Sequence, residues 1–329
     1  MSSFRTILTT LPATFSIDHQ SSLLCMGSCF AQHIGELLSE GKFEILLNPF
    51  GILYNPVSIG KGLEIILSDR LYAESDLVNN AGLWYSFDHH GFFSGVKRRE
   101  VLNRMNVALT NSRNFLSRTR FLIITFGTAS VFVKKASGEV VANCHKFPGY
   151  MFEKKRLTID QVVLGFSKIV RQVLSVYPKI HIIFTLSPVR HIRDGLIENQ
   201  LSKATLLLAI EKLTSMFPEA SYFPAYELVM DDLRDYRFYQ KDHIHPNELA
   251  IQYIWDFFRR TYFLPNTESL YKKVKKVVQS SQHRSFHPET TAHQQFLQNQ
   301  LEIIDKLERQ YDFIDFSKEK KIFSSQLIV

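Results

Sequence analysis

The chain has 329 residues, 45% of them hydrophobic and 22% charged, with a formal net charge of +7. That is an ordinary globular composition, and a chain of this length can bury a core without disulfide or metal support. No run of roughly 18 apolar residues occurs, which argues against a transmembrane helix. The three cysteines, Cys25, Cys29 and Cys144, are an odd, low count that fits a reducing compartment. Met1 to Phe15 lacks the continuous apolar core of a secretory signal, so the expected location is the cytoplasm.

The charge is uneven. Between Arg259 and Arg284, Arg259, Arg260, Lys272, Lys273, Lys275, Lys276 and Arg284 face only Glu268. Such a segment could touch a membrane, nucleic acid or a protein, but a solvated helix face explains it as simply. Aromatic residues are too sparse there for a nucleic-acid groove, so no nucleic-acid partner is expected.

In chain order, Leu23 to Met26 reads as a buried strand that stops at Gly27. Phe30, Ile34, Leu37 and Leu38 then recur at helical spacing up to Ser39. Phe43 to Leu47 and Phe121 to Thr125 are further strands, ended by Asn48-Pro49 and Gly127. Ser137-Gly138 turns between two β-like runs. Thr158 and Gln161 have the spacing of a capping box, and Val162, Phe166, Ile169, Val170, Val173 and Leu174 form the apolar face behind it. His181 to Leu186 is a strand ended by Ser187-Pro188. A helix over Asn199 to Phe217, a short strand at Tyr222-Phe223 and a helix over Asn247 to Phe263 follow.

This alternation predicts an α/β fold with a parallel sheet covered by helices on both faces. In such sheets the chemistry lies beyond the carboxyl ends of the strands, where Gly27, Asn48, Gly127 and Ser187 fall. After Pro265 the strands stop, and Phe296, Leu297, Leu301, Ile304 and Leu307 make a helical stripe. Residues 1–264 therefore read as the main domain and 265–329 as a helical appendage, a candidate homodimer surface.

Two constellations carry chemistry. In Gly27-Ser28-Cys29-Phe30-Ala31 a strand runs through Gly into two small nucleophilic residues and then a helix. Helix-terminal N–H groups there favour a thiolate and could hold an oxyanion. A buried Cys beside a Ser N-cap accounts for the same residues. In Lys241-Asp242-His243-Ile244-His245-Pro246-Asn247, a carboxylate three residues before an imidazole could orient it as a general base. A surface loop with two unrelated histidines is the plain alternative. Asn143-Cys144-His145-Lys146 could wall a site. Arg190 could hold a substrate carboxylate or phosphate, or make a structural ion pair.

The segment at 27–31 resembles the signature of the GSCFA family, which itself resembles a branch of the SGNH (GDSL-type) hydrolases. The resemblance covers roughly residues 20–265. It implies a flavodoxin-like three-layer sandwich, an acyl-ester substrate and no cofactor or metal. It also implies a nucleophile at Cys29 or Ser28, with Asp242 and His245 as the late Asp-x-x-His block. Register favours Cys29, because the strand and the following apolar residue stay aligned. Asn48-Pro49-Phe50-Gly51, Gly127-Thr128-Ala129-Ser130 and Asn143-Cys144-His145-Lys146 also look like segments of this family. One departure matters: where SGNH enzymes carry Gly-x-Asn-Asp, this chain has Gly127-Thr128-Ala129-Ser130. Ala129 has no side-chain donor, so Thr128, Asn143 or the Gly51 N–H would have to serve the oxyanion.

The leading expectation is a hydrolase or acyltransferase acting on small-molecule, carbohydrate or lipid acyl esters or thioesters. A zinc site from Cys29, Cys144, His145, His243 and His245 is a competitor, although their spacing matches no standard motif. A non-catalytic binding module on a degenerate SGNH fold is another.

Overall fold

The computed structural model describes residues 5–9 and 13–328. It divides into two compact units. The first holds residues 5–9, Ser22–Gly35 and Ile45–Asp256; the second holds residues 13–21, Glu36–Glu44 and the chain from Phe257 onward. The second unit is thus more than the C-terminal helices: two earlier segments belong to it.

The chain opens with β1 (Ser22–Gly27), α1 (Cys29–Glu40), β2 (Glu44–Leu47) and α2 (Pro56–Leu67). A small antiparallel pair, β3 (Val78–Asn80) and β4 (Leu83–Tyr85), precedes α3 (Arg98–Leu116) and β5 (Phe121–Phe126). Then come β6 (Ser130–Lys134), β7 (Val140–Val141), β8 (Phe152–Arg156), α4 (Ile159–Val176), β9 (His181–Leu186), α5 (Leu196–Met216) and β10 (Ala220–Phe223). A short α6 (Ala225–Glu227) runs into a π-helical turn at Leu228–Leu233, and α7 (Glu248–Tyr262) follows.

The central sheet has the order β10-β9-β5-β1-β2, and β1–β5, β5–β9 and β9–β10 pair in parallel. This is the flavodoxin-like order. Strand order reverses at β1: β2 lies on one side of it and β5 on the other, so the crevice above β1 and β5 is where such folds place ligands. Register puts Gly27 beside Thr125 and Thr125 beside Thr185, which aligns the ends of β1, β5 and β9 along one edge.

One face of the sheet, Leu24, Met26, Leu122, Ile124, Phe126, Ile182 and Phe184, packs into a core with residues of α2, α3, α4 and α5. On the other face Leu23, Cys25, Ile123 and Ile183 are equally buried, so both faces are covered, as parallel strands require. The Thr158–Gln161 capping box starts α4 as its residues predict. Ser130–Lys134 and Val140–Val141 form the expected hairpin, turning at Gly138 with φ 71°; β8 adds a third strand to it.

Two helices escape the periodicity. Helix α2 has an Asn55 cap and Pro at its start but carries Gly60 and Gly62. Helix α3 spaces Val101, Met105 and Leu109 among long polar residues. Helix α5 begins at Leu196, three residues before the expected start.

In the second unit, α8 (Pro265–Gln282), α9 (Thr291–Gln310) and α10 (Ser317–Ser324) share a core of Leu270, Val274, Leu297, Ile304, Leu307, Phe316 and Phe323. Lys42 bridges to the buried Glu319 at 2.7 Å, and His19 stacks on Phe43 at 4.1 Å. Lys272, Lys273 and Lys276 are exposed on α8, which is the arrangement of a solvated face.

Candidate active site

The turn from β1 into α1 is built around Gly27, whose φ is 144° and where a Cβ would lie 2.2 Å from the Thr125 carbonyl oxygen. Only glycine fits this conformation and this space. The Gly27 N–H donates to Asn48 Oδ1 at 2.9 Å, and Asn48 Nδ2 donates to Gln32 Oε1 at 3.0 Å. The Leu53 N–H donates to the Gly27 carbonyl at 3.0 Å. These bonds clamp the residue before the two nucleophile candidates.

Ser28 is fully buried, and its Oγ accepts the Phe30 N–H at 3.3 Å, the geometry of a helix cap. Cys29 is the first residue of α1 and is half-buried. Burial raises the pKa of its thiol, while the N–H groups of Cys29 and Phe30 and the charge of Lys203 act against that rise.

Lys203 is the least expected member of the site. It projects from α5 and is 1% exposed. Its Nζ donates to the Gly127 carbonyl at 2.7 Å and to the Ser187 carbonyl at 2.6 Å, spanning the ends of β5 and β9. Burial pushes its pKa down to about 7, and the Cys29 charge pulls it upward. The Tyr54 phenol is likewise pushed up by burial and by the Cys29 charge.

The Tyr54 carbonyl accepts the N–H groups of Gly127 and Thr128 at 2.8 and 3.0 Å, and its ring meets His191 edge-on at 5.5 Å. A Cβ at Gly127 would meet the Tyr54 carbonyl oxygen at 3.1 Å, His191 Nε2 at 3.2 Å and Ser28 Cβ at 3.5 Å. Gly127 therefore lets these three groups converge. Burial first, then the charges of Lys203 and His245, pushes the His191 pKa down to about 3, so its imidazole stays neutral.

Asp242 and His245 meet as their spacing suggests: His245 Nδ1 donates to Asp242 Oδ2 at 2.7 Å. Asp242 Oδ1 also takes the N–H groups of Ile244 and His245, at 2.9 and 3.1 Å. These hydrogen bonds lower the carboxyl pKa to about 2.

Arg190 braces this loop. Its N–H donates to the Ile244 carbonyl at 3.2 Å, its Nη1 reaches the His243 carbonyl at 3.4 Å, and its guanidinium lies over Tyr239 at 4.2 Å and Tyr236 at 5.1 Å. These contacts tie Arg190 to the loop that carries Asp242 and His245.

The residues expected to serve the oxyanion each make local hydrogen bonds. The Gly51 N–H closes a turn on the Asn48 carbonyl at 2.7 Å, with φ 74°. The Thr128 hydroxyl pairs with Ser202 Oγ at 3.0 Å and accepts the Ser130 N–H at 3.0 Å. Asn143 Oδ1 accepts the His145 N–H at 2.8 Å. His145 is buried, with Nε2 2.8 Å from the Ser86 carbonyl oxygen and its ring stacked on Tyr85 at 4.5 Å. Cys144 is half-buried, its thiol pKa raised by burial against the nearby Arg193 charge. Among the described residues no group of three or more His, Cys, Asp and Glu side chains could hold a metal ion, and no helix is long and apolar enough to cross a membrane.

The GSCFA family matches residues 22–258, a span that holds both the β1–α1 turn and the Asp242–His245 loop. The chain belongs to the GSCFA family. The family's companion region, GSCFA domain protein, C-terminal domain, matches residues 274–329. No curated protein matches the sequence. Among solved structures, a carbohydrate esterase family 2 enzyme plus carbohydrate binding domain from Corynascus thermopiles (Myceliophthora fergusii) is 15% identical, with a TM-score of 0.28; the match covers 43% of the GSCFA chain and only 36% of that one. A protein from Streptococcus pneumonia, provisionally described as a platelet activating factor, is 11% identical with a TM-score of 0.38, over 73% of the GSCFA chain and 83% of its own.

Sequence reasoning missed Lys203, His191 and Tyr54. The signal for Lys203 was present: Asn199, Ser202 and Lys203 continue the buried stripe of Leu206, Ala209, Ile210 and Leu213 along α5. Asn199 Oδ1 accepts the His191 N–H at 2.8 Å and Ser202 Oγ accepts the Ala129 N–H at 2.7 Å, so all three polar residues of the stripe bond to the chain at the ends of β5 and β9.

Proposed function

We propose that this GSCFA chain is an SGNH-type hydrolase of acyl esters or thioesters, or an acyltransferase with the same covalent step, and that Cys29 is its nucleophile. The observation that carries the reading is the Asp242–His245 pair at 2.7 Å, in the unit that also presents the half-buried Cys29 at the start of α1. Ser28 is buried and used as a cap, which favours Cys29.

His245 takes the Cys29 proton as the sulfur adds to the acyl carbonyl carbon. The oxyanion rests on N–H groups at the start of α1. As the thioester forms, the leaving alcohol or thiol takes that proton from His245. Water then gives a proton to His245 and its hydroxyl to the acyl carbon, and the proton returns to the departing Cys29 thiolate. Asp242 stays ionised and holds the imidazole through Nδ1. A thiol nucleophile and three free cysteines fit a reducing, cytoplasmic setting.

The test is steady-state hydrolysis of activated acetyl and longer acyl esters by the wild type, Cys29→Ala and His245→Ala. Hydrolysis lost in both variants supports the reading. Equal turnover by all three proteins rejects it.

A further inference from the structure

The backbone donors where β5 ends already have acceptors. The N–H groups of Gly127 and Thr128 both go to the Tyr54 carbonyl, at 2.8 and 3.0 Å, and the Ala129 N–H goes to Ser202 Oγ at 2.7 Å. One polar atom beside them is in the opposite condition. His191 Nε2 is buried and has no hydrogen-bond partner among the described residues. Such atoms are rare, because a buried donor or acceptor gives up its hydration and gets nothing back until a partner arrives.

The imidazole is placed by its surroundings. The His191 backbone N–H is held by Asn199 Oδ1 at 2.8 Å, and the Tyr54 ring meets the imidazole edge-on at 5.5 Å. Burial keeps the ring neutral, so it has one N–H to give, and no bond within the fold takes it at Nε2.

Gly127 shows what this atom faces. A Cβ there would lie 3.2 Å from His191 Nε2 and 3.5 Å from Ser28 Cβ. The two therefore border one small space that glycine leaves open. Ser28 leads directly into Cys29, the first residue of α1. An acyl carbon bonded to the Cys29 sulfur can then hold its oxygen between the first N–H groups of α1 and the imidazole.

We infer that His191 is a catalytic residue whose Nε2–H donates to the oxyanion formed when Cys29 adds to the acyl carbonyl, completing the hole begun by the N–H groups of α1. This rests on Cys29 being the nucleophile of the proposed function. The substrate oxygen is the partner that Nε2 lacks in the free protein. The bond closes as the Tyr54 ring yields, since catalytic hydrogen bonds commonly tighten only with substrate in place. A dry, already oriented donor stabilises developing charge more than a hydrated one. The two histidines divide the work: His245 moves protons, and His191 moves none.

The experiment uses trifluoroacetone labelled with ¹³C at its carbonyl carbon. The Cys29 thiol adds across the C=O bond: sulfur bonds to carbon, the π electrons pass to oxygen, and the thiol proton first neutralises that oxygen and leaves it again as pH rises. The ¹³C shift follows this ionisation in the wild type, His191→Leu and His191→Gln, each shown to be folded by circular dichroism. The oxyanion midpoint of His191→Leu should lie about one to two pH units above wild type, equivalent to about ten- to hundredfold weaker stabilisation. His191→Gln, which keeps an N–H donor, should lie between them. In ester turnover, kcat of His191→Leu should fall about 10²- to 10³-fold with KM changed far less. Equal midpoints in wild type and folded His191→Leu overturn the inference.

If His191→Leu does not fold, the wild type decides. The His191 Nε2 resonance of ¹⁵N-histidine-labelled protein should shift when the adduct forms, and an unchanged resonance rejects the donor. The two readings fail separately. Adducts that form on Cys29 but titrate alike reject His191 alone, whereas no adduct on Cys29 in the wild type overturns the nucleophile and this inference together.

Discussion

Asp242 holds His245 at two points. One carboxylate oxygen accepts Nδ1–H at 2.7 Å and the other accepts the His245 backbone N–H at 3.1 Å. Hydrogen bonds keep the Asp242 pKa at about 2, so the carboxylate can only accept, and Nδ1 must be the donor. Neutral His245 is thereby fixed in the tautomer with a lone pair on Nε2.

Asp242→Asn should therefore lower ester hydrolysis by about 10²- to 10⁴-fold with little change in thermal stability, because neither side chain is buried in the core. Activity and Tm measured on the same preparation check this. Because Asp242 is ionised down to about pH 2, the acidic limb of the wild-type pH–rate profile should not arise from this carboxyl.

Arg190 supports that loop from below, through Tyr239, Tyr236 and the His243 carbonyl. Arg190→Ala removes a cation–π contact worth about 1 kcal/mol and frees the histidine loop. The expected result is a reduced kcat with a Tm drop of a few degrees, measured by steady-state kinetics and calorimetry. Arg190→Lys should recover little, since an ammonium cannot stack as a planar guanidinium does.

Gly27→Ala should be severely destabilising. Its φ of 144° and the 2.2 Å approach of a Cβ to the Thr125 carbonyl oxygen force β1 and β5 apart. Backbone strain and overpacking together predict a loss of about 3 kcal/mol or more. Urea unfolding midpoints give the number.

The strand–helix alternation, the β1–α1 turn, the capping box of α4 and the Asp242-x-x-His245 loop were legible because each is encoded in contiguous residues. A strand ending on Gly, or a carboxylate three residues before an imidazole, needs no knowledge of distant chain. Lys203, Tyr54 and His191 were not legible in that way. They gather around the Gly127 and Ser187 ends of β5 and β9 from α5, the loop before α2 and the loop after β9, and only the parallel register brings those ends together. The sequence also does not show the local hydrogen bonds of Gly51 and Thr128. Gly51 N–H finds the Asn48 carbonyl three residues back, and the Thr128 hydroxyl finds Ser202 on α5.

Acid should destabilise the fold through buried neutral histidines. Burial lowers His89 to a pKa of about 3 and His191 to about 3, and in the second unit it lowers His19 to about 4. In the unfolded chain these groups protonate near the ordinary value of about 6.5. Between about pH 6.5 and these lowered values the unfolded state binds protons that the fold refuses, so stability falls as pH falls and is fully present above that window. Each such histidine contributes at most about 1.4 kcal/mol per pH unit. Tm measured from pH 8 to pH 4.5 should be level at first and then decline. His89→Gln should flatten the decline; a slope unchanged by that substitution contradicts the assignment.

The most direct test of a Cys29 acyl-enzyme is to mix the protein with an activated acetyl ester, quench in acid within the first turnovers and map the modified peptide by mass spectrometry. The account predicts one acetyl group on Cys29, absent from both Cys29→Ala and His245→Ala. Acetylation of Ser28, or no adduct on either residue in folded protein, would contradict it.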